Sequence, residues 1–431
     1  MRTNEKLFDF IADCPTAYHT TQTVLSRLAE AGYTRLTEDQ PFRLEKGRGY
    51  VLSRGDASLI AFRVPECGSA RGFMMTAAHG DSPSFKIKDN PEIRDGHYVR
   101  LSTEKYGGML CAPFLDRPLS VAGRLAVETD SGIKTVLVDL KDPTLIIPSV
   151  AIHMNRQANE GATYNAAVDM QPLYAVEGEG TPLLSLVAEK AGVAAEKILA
   201  HDLYVYNPQK GCELGGMICA PRLDDLSCVF ASLEAFLTAG TGESIPVFCL
   251  FDNEEVGSAT AHGAASTFLR DTLSGILCAL DEEKRSLPQL LANSFLVSCD
   301  NAHAVHPNHG ELSDKNHSVY LNGGIVIKYN ANRKYTTDAV SAALFRRICK
   351  EAGVETAAYA NRADMPGGST LGSIASTVVF AHAIDIGLAQ LAMHSAYETA
   401  GARDTDRMIS ALKLFFEKSL SVTKDGDYTL S

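Results

Sequence analysis

The sequence predicts an α/β protein whose main, helix-flanked sheet is interrupted by a β-rich insertion. Three observations predict this. Apolar strand-like runs alternate with stretches of three- and four-residue apolar periodicity near both ends of the chain. Between about residues 90 and 214 the texture changes to short strand-like runs separated by Gly, Pro and Asp turns. Histidines and acids of the kind that bind metals lie on both sides of that middle segment and thin out within it. The main domain is therefore expected to be discontinuous, 1–90 plus 215–431, with 91–214 inserted.

Taken in order, periodicity predicts helices over 7–11 and 21–31, then strands over 50–52, 58–64 and 72–78, the last delivering His79. Within the insertion, strands are expected over 121–128, 134–139 and 203–206. Beyond Gly215 a helix over 226–239 precedes a strand over 245–251, and a strand over 294–299 precedes Asp300. A strand over 325–329, a helix over 337–352, a strand over 377–382 and a closing helix over 406–419 complete the reading.

Composition bounds the function. A chain of 431 residues exceeds one compact core and predicts about two to three domains. Its net charge of −12 argues against a general nucleic-acid or anionic-membrane surface. The start, MRTNEKLFDF, lacks the apolar stretch of a secretory signal, and no apolar run approaches the roughly 20 residues of a membrane span. Ten cysteines without any CxxC pair read as small buried hydrophobes in a reducing cytoplasm.

Five motifs carry the chemistry: AAHGDSP at 77–83, PRLDDL at 221–226, FDNEEVGS at 251–258, SCDNAHAVHPN at 298–308 and LAMHS at 391–395. Jointly they supply His79, His394, Asp224, Glu254, Glu255 and Asp300, several of them straight after apolar runs. A hydrophobic strand can deliver such a side chain into the cleft above the sheet where α/β folds bind ligands. Burying so many acids without cations would be prohibitive, so paired metal ions are the natural occupants. In HGD, the Asp81 carboxylate fits a partner for the second nitrogen of a His79 ligand. The adjacent Glu254 and Glu255 repel unless a cation holds them, and one can ligate while the other serves as base. Asp224 opens a helix, where either it or Asp225 could act as N-cap. His303, His306 and His309 do not share a helical face and are not read as a separate zinc site. His303 is instead placed near substrate, three residues past Asp300.

These motifs, with FLDRPLSVAGR at 114–124, IPSVAIHMNR at 147–156 and GGIVIK at 323–328, resemble the aspartyl-aminopeptidase-type metallopeptidases over nearly the whole chain. The resemblance implies a mixed-sheet dizinc exopeptidase domain with an inserted oligomerisation domain. It implies that His79, Asp224 and Asp300 bind one zinc and Asp224, Glu255 and His394 the other, Asp224 bridging. Glu254 would be the general base, Asp81 would orient His79, and His303 would contact the transition state. The family assembles into a hollow tetrahedral dodecamer in which the residue matching His153 reaches a neighbour's active site. Lys328 matches a lysine associated with acidic side chains, so peptides with acidic, alternatively neutral, N-terminal residues are the expected substrates. Gly80, Asp225 and Tyr397 depart from the family pattern, where Thr, Asn and Arg are common; they bear on substrate preference and remove no ligand. A metal-dependent deacylase and a ligand-depleted shell protein are the competing readings.

Overall fold

The computed structural model describes residues 2–66, 70–280 and 285–431. Its largest sheet orders nine strands as Thr34–Arg35, Gly49–Arg54, Ser58–Arg63, Ile245–Phe251, Phe73–His79, Phe295–Cys299, His382–Gly387, Ile325–Tyr329 and Thr356–Ala360. The four strands from Ile245–Phe251 to His382–Gly387 run parallel. Ser58–Arg63 and Ile325–Tyr329 run antiparallel to their inner neighbours, so the sheet is mixed. Ile245–Phe251, Phe73–His79 and Phe295–Cys299 are buried at every residue, which explains why they read as continuous apolar runs rather than alternating ones.

Helices cover both faces. Thr3–Ala12, Ala17–Glu30, Leu223–Thr238, Ala339–Glu351 and Asp404–Glu417 bury one core, and Phe268–Leu280, Leu287–Leu291 and Leu371–Val378 bury the other. Phe236 on the long middle helix meets the rings of Tyr33, Phe248 and Phe416 at 5.5, 6.0 and 5.4 Å, joining helix, sheet and closing helix. Burying one such ring contributes about 2–3 kcal/mol.

A second, six-stranded antiparallel sheet lies within residues 84–206, ordered Gly132–Asp139, Ser120–Thr129, Ile198–Tyr206, Ser84–Arg94, Tyr98–Tyr106 and Leu173–Val176, over its own core. A third orders Cys212–Leu214, Met217–Ala220, Glu398–Gly401, Ala389–Leu391 and Ala302–His303. It ties together the segments that precede Asp224, follow Asp300 and flank His394.

One predicted element is wrong. Residues 377–381 are not strand: the helix Leu371–Val378 runs into them, and the strand begins only at His382. The β-branched Thr377, Val378 and Val379 gave the strand reading, but buried Leu371 and Ala375, one helical turn apart, set the local conformation. The closing helix ends at Glu417 and is followed by a small hairpin, Leu420–Val422 with Tyr428–Leu430. Among the described residues no helix is long and apolar enough to cross a membrane.

Candidate metal centre

The parallel register puts three strand ends at one edge. His79 pairs with Phe251 and Ala77 with Ser298, so His79, the turn after Phe251 and Asp300 emerge side by side. Gly80 N–H donates to Phe251 O at 2.9 Å and Asp300 N–H to Ile386 O at 3.0 Å, which holds the strand ends together.

The turn after Phe251 is fixed by Asp81. Asn253 enters a single 3₁₀ turn at φ 60°, and Gly257 leaves it at φ 97°. The Asp81 carboxylate accepts the N–H groups of Glu254 and Glu255, both at 3.2 Å, and the Tyr106 hydroxyl at 2.7 Å. Asn253 donates in turn to Tyr106 Oη at 3.0 Å. One buried aspartate thus sets the direction of both glutamates.

The two imidazoles are oriented by carbonyls. His79 Nδ1 lies 3.0 Å from Asp81 O, and His394 Nδ1 lies 2.8 Å from Gly108 O. A carbonyl only accepts, so each Nδ1 carries a proton, and each Nε2, facing the acids, is the ring atom free to ligate a metal. Asp224 lies between them: Oδ1 is 3.5 Å from His79 Nε2, and Oδ2 is 3.5 Å from His394 Nε2. Glu255 Oε2 is 3.4 Å from His394 Nε2. Donor atoms of His79, Asp224, Asp225 and Asp300 all lie within 4.8 Å of one another, as do those of Asp224, Glu255 and His394, and those of His79, Glu254 and Glu255.

Electrostatics marks the cluster as built for cations. Burial, with the like charges of Asp300, Asp81 and Asp224, pushes Glu254 up to about 8. Burial and Asp224 likewise drive Glu255 well above the usual carboxylate range. Against the effect of burial, Asp224 and Glu255 raise His394 to about 10. Asp224 Oδ1 and Glu255 Oε1 are buried without a hydrogen bond. Two imidazole nitrogens and several carboxylate oxygens, some of them orphaned, form the N/O donor set that zinc prefers. The residues fit the metal.

The structure brings together every predicted ligand, with Asp81 and Glu254. Neither the Asp224 nor the Asp225 side chain accepts a helix N–H: both residues are non-helical, at φ/ψ −83°/107° and −118°/19°, and form a kink before the regular helix that follows. Asp225 Oδ2 instead accepts the His79 N–H at 3.3 Å. Lys328 is buried, donates to Asn301 O at 2.8 Å and stands 3.5 Å from Asp300 Oδ1. His303 is exposed, edge-on to the Tyr359 ring at 6.1 Å. His153 sits in an exposed turn, and among the described residues no hydrogen bond or ion pair joins it to the cluster.

Three supporting residues escaped the sequence reading. Tyr106 had no signal at all. Glu398, 2% exposed, accepts the N–H groups of Asp224 and His394; an acid four residues past a ligand in an apolar run was the available clue. Arg222 spans the N-terminal helix and the insertion, donating to Ile11 O, Cys14 O and Asn207 O at 3.0–3.2 Å.

Residues 10–416 match the family described as aminopeptidase I zinc metalloprotease (M18). The chain is 40% identical to a probable M18 family aminopeptidase 2 of Clostridium acetobutylicum over 411 residues, 93% of this chain and 95% of that one. It is 38% identical to its namesake in Pseudomonas paraeruginosa over 426 residues, 96% and 98% of the two chains. Among solved structures it resembles Ape4 in a complex with Nbr1, with TM-score 0.92, 31% identity, and coverage of 96% of this chain and 85% of that one. It also resembles the mApe1 dodecamer of S. cerevisiae, with TM-score 0.84, 28% identity, and coverage of 96% and 95%.

Proposed function

The chain belongs to the M18 family of aminopeptidase I zinc metalloproteases, and from that premise we propose that it releases N-terminal residues from peptides using two zinc ions per chain. The observation that carries this reading is Asp224, whose two oxygens face two different histidines. His79, Asp224 and Asp300 would hold one ion and Asp224, Glu255 and His394 the other. Zinc in such a site acts as a Lewis acid on the scissile carbonyl and lowers the pKa of water from about 16 towards roughly 7.

The chain's own residues supply the rest. Glu254, in the same turn as Glu255 but outside both ligand sets, accepts the proton of the attacking water and returns it to the departing amine. Asp81 aims that turn and holds the His79 ring. His303 contacts the substrate carbonyl. Acidic N-terminal residues are the favoured substrates, with Lys328 as their counter-charge and neutral residues as the alternative.

We also propose that residues 91–214 form an oligomerisation domain separate from the catalytic residues 1–90 and 215–431, and that the assembly is a tetrahedral dodecamer in the cytoplasm. The yeast relative that forms a dodecamer supports this, as do Val150, Ile152 and Met154, exposed at 58, 48 and 83% around His153. In that assembly His153 would enter a neighbour's site. The test is elemental analysis: dialysed wild type should hold about two metals per chain and Asp224→Ala neither. A full metal complement in Asp224→Ala would end the bridging assignment.

A further inference from the structure

Two cysteines face each other on the hairpin that leads into the Asp224 segment. Strand Cys212–Leu214 runs antiparallel to Met217–Ala220, with Cys212 directly opposite Cys219. The turn between them is Gly215–Gly216 at φ 54° and 84°, backbone that glycine adopts without strain. Residues directly opposite on an antiparallel pair project to one face with Cα atoms about 4.5 or 5.5 Å apart, and a disulfide needs roughly 4.4–6.8 Å. Both thiols are partly exposed, within reach of a small oxidant.

The pair is linked to the metal centre through the Tyr397–Glu398 segment. Cys219 Sγ lies 3.5 Å from Thr399 Oγ1, its partner on the next strand, and Cys212 Sγ lies 3.6 Å from Tyr397 Oη. The Tyr397 hydroxyl donates to Lys210 O at 2.7 Å, and the Arg117 guanidinium stands 5.5 Å from its ring. Tyr397 is the residue before Glu398, whose carboxylate accepts the N–H groups of Asp224 and His394. Whatever moves Tyr397 therefore pulls on the acid that spans two ligand segments.

We propose that Cys212 and Cys219 form a thiol–disulfide switch, in which a hydroperoxide closes a cross-strand bridge that draws Cys212 from Tyr397 and lowers turnover. With hydrogen peroxide, one thiolate attacks an oxygen, the O–O bond breaks, and a sulfenic acid and hydroxide result; the hydroxide takes up the proton the thiol had lost and becomes water. The second thiol attacks that sulfur, forming the S–S bond and expelling a second water, so two electrons pass from the thiols to the peroxide. A dithiol reverses the step by exchange, leaving as its own disulfide.

The test treats the intact, metal-loaded enzyme with hydrogen peroxide, blocks remaining thiols by alkylation, maps peptides by mass and measures kcat on an aminoacyl-anilide. The expected product bridges Cys212 and Cys219 within the segment 211–222, about 2 Da lighter than the same segment with both thiols free. Turnover should fall roughly three- to tenfold, recover with dithiothreitol, and resist the same treatment in Cys219→Ser. Three results overturn the proposal: both thiols alkylated after peroxide, a bridge formed with kcat unchanged, or equal inactivation of Cys219→Ser.

Discussion

Glu398 Oε2 accepts the Asp224 N–H at 3.0 Å, and Oε1 of the same carboxylate accepts the His394 N–H at 2.7 Å. One buried acid thus fixes the backbone of two of the proposed metal ligands, 170 positions apart in sequence. Glutamine would keep one acceptor and turn an NH₂ group against the other N–H. Glu398→Gln should therefore weaken metal retention about 10- to 100-fold. Metal content against chelator concentration reads this out. A binding curve that overlays wild type would remove Glu398 from the support of the site.

Glu254 and Glu255 are neighbours to which the proposed function gives separate roles. Glu254→Gln should keep the metals while kcat falls by roughly 10² to 10⁴, as expected for loss of a general base. Glu255→Gln should lose metal. If the metal contents come out the other way round, the two assignments exchange.

Why these acids were legible in the sequence, and their supports were not, has a physical cause. His79 and Asp300 lie at or just past the ends of buried parallel strands, where an apolar run stops at a polar residue, so composition alone marks them. Glu398 and Tyr106 act through bonds that close only in the folded chain, across 174 and 25 positions respectively. The helix Leu371–Val378 was lost for a related reason: its β-branched end carries a strand propensity that packing against the sheet overrides.

His19 gives the stability an acid limb. Burial pushes its pKa down to about 4, and Nδ1 lies 2.9 Å from Thr16 Oγ1. The folded state then holds His19 neutral at pH values where the unfolded chain, with a pKa near 6.5, binds a proton. Its contribution is complete above pH 6.5 and is lost as the pH falls from 6.5 to about 4. The amount is on the order of 2 kcal/mol, because His19 is only partly buried. The urea midpoint of wild type should fall relative to that of His19→Gln across this window as acid is added. A difference that stays constant from pH 7 to pH 4 would sink the assignment.

Lys328 carries two demands that its geometry separates. An ammonium has three N–H donors. One is given to Asn301 O at 2.8 Å, and Asp300 Oδ1 stands at 3.5 Å. The Tyr335 ring lies 5.3 Å away, and the proposed acidic preference would draw on the remaining donor. Because the charge is shared with Asp300, the preference it supplies should be modest. Removing it should also disturb Asp300 and slow every substrate. Lys328→Ala is therefore expected to lower kcat/KM on Asp-, Glu- and Leu-initiated peptides alike, with a further loss of about tenfold, or roughly 1.4 kcal/mol, on the acidic pair. The ratio of Asp to Leu, not the absolute rate, isolates the recognition from the support of Asp300. A wild type that cleaves Leu far faster than Asp, with that ratio unmoved in Lys328→Ala, would assign Lys328 to Asp300 alone and make neutral residues the natural substrates.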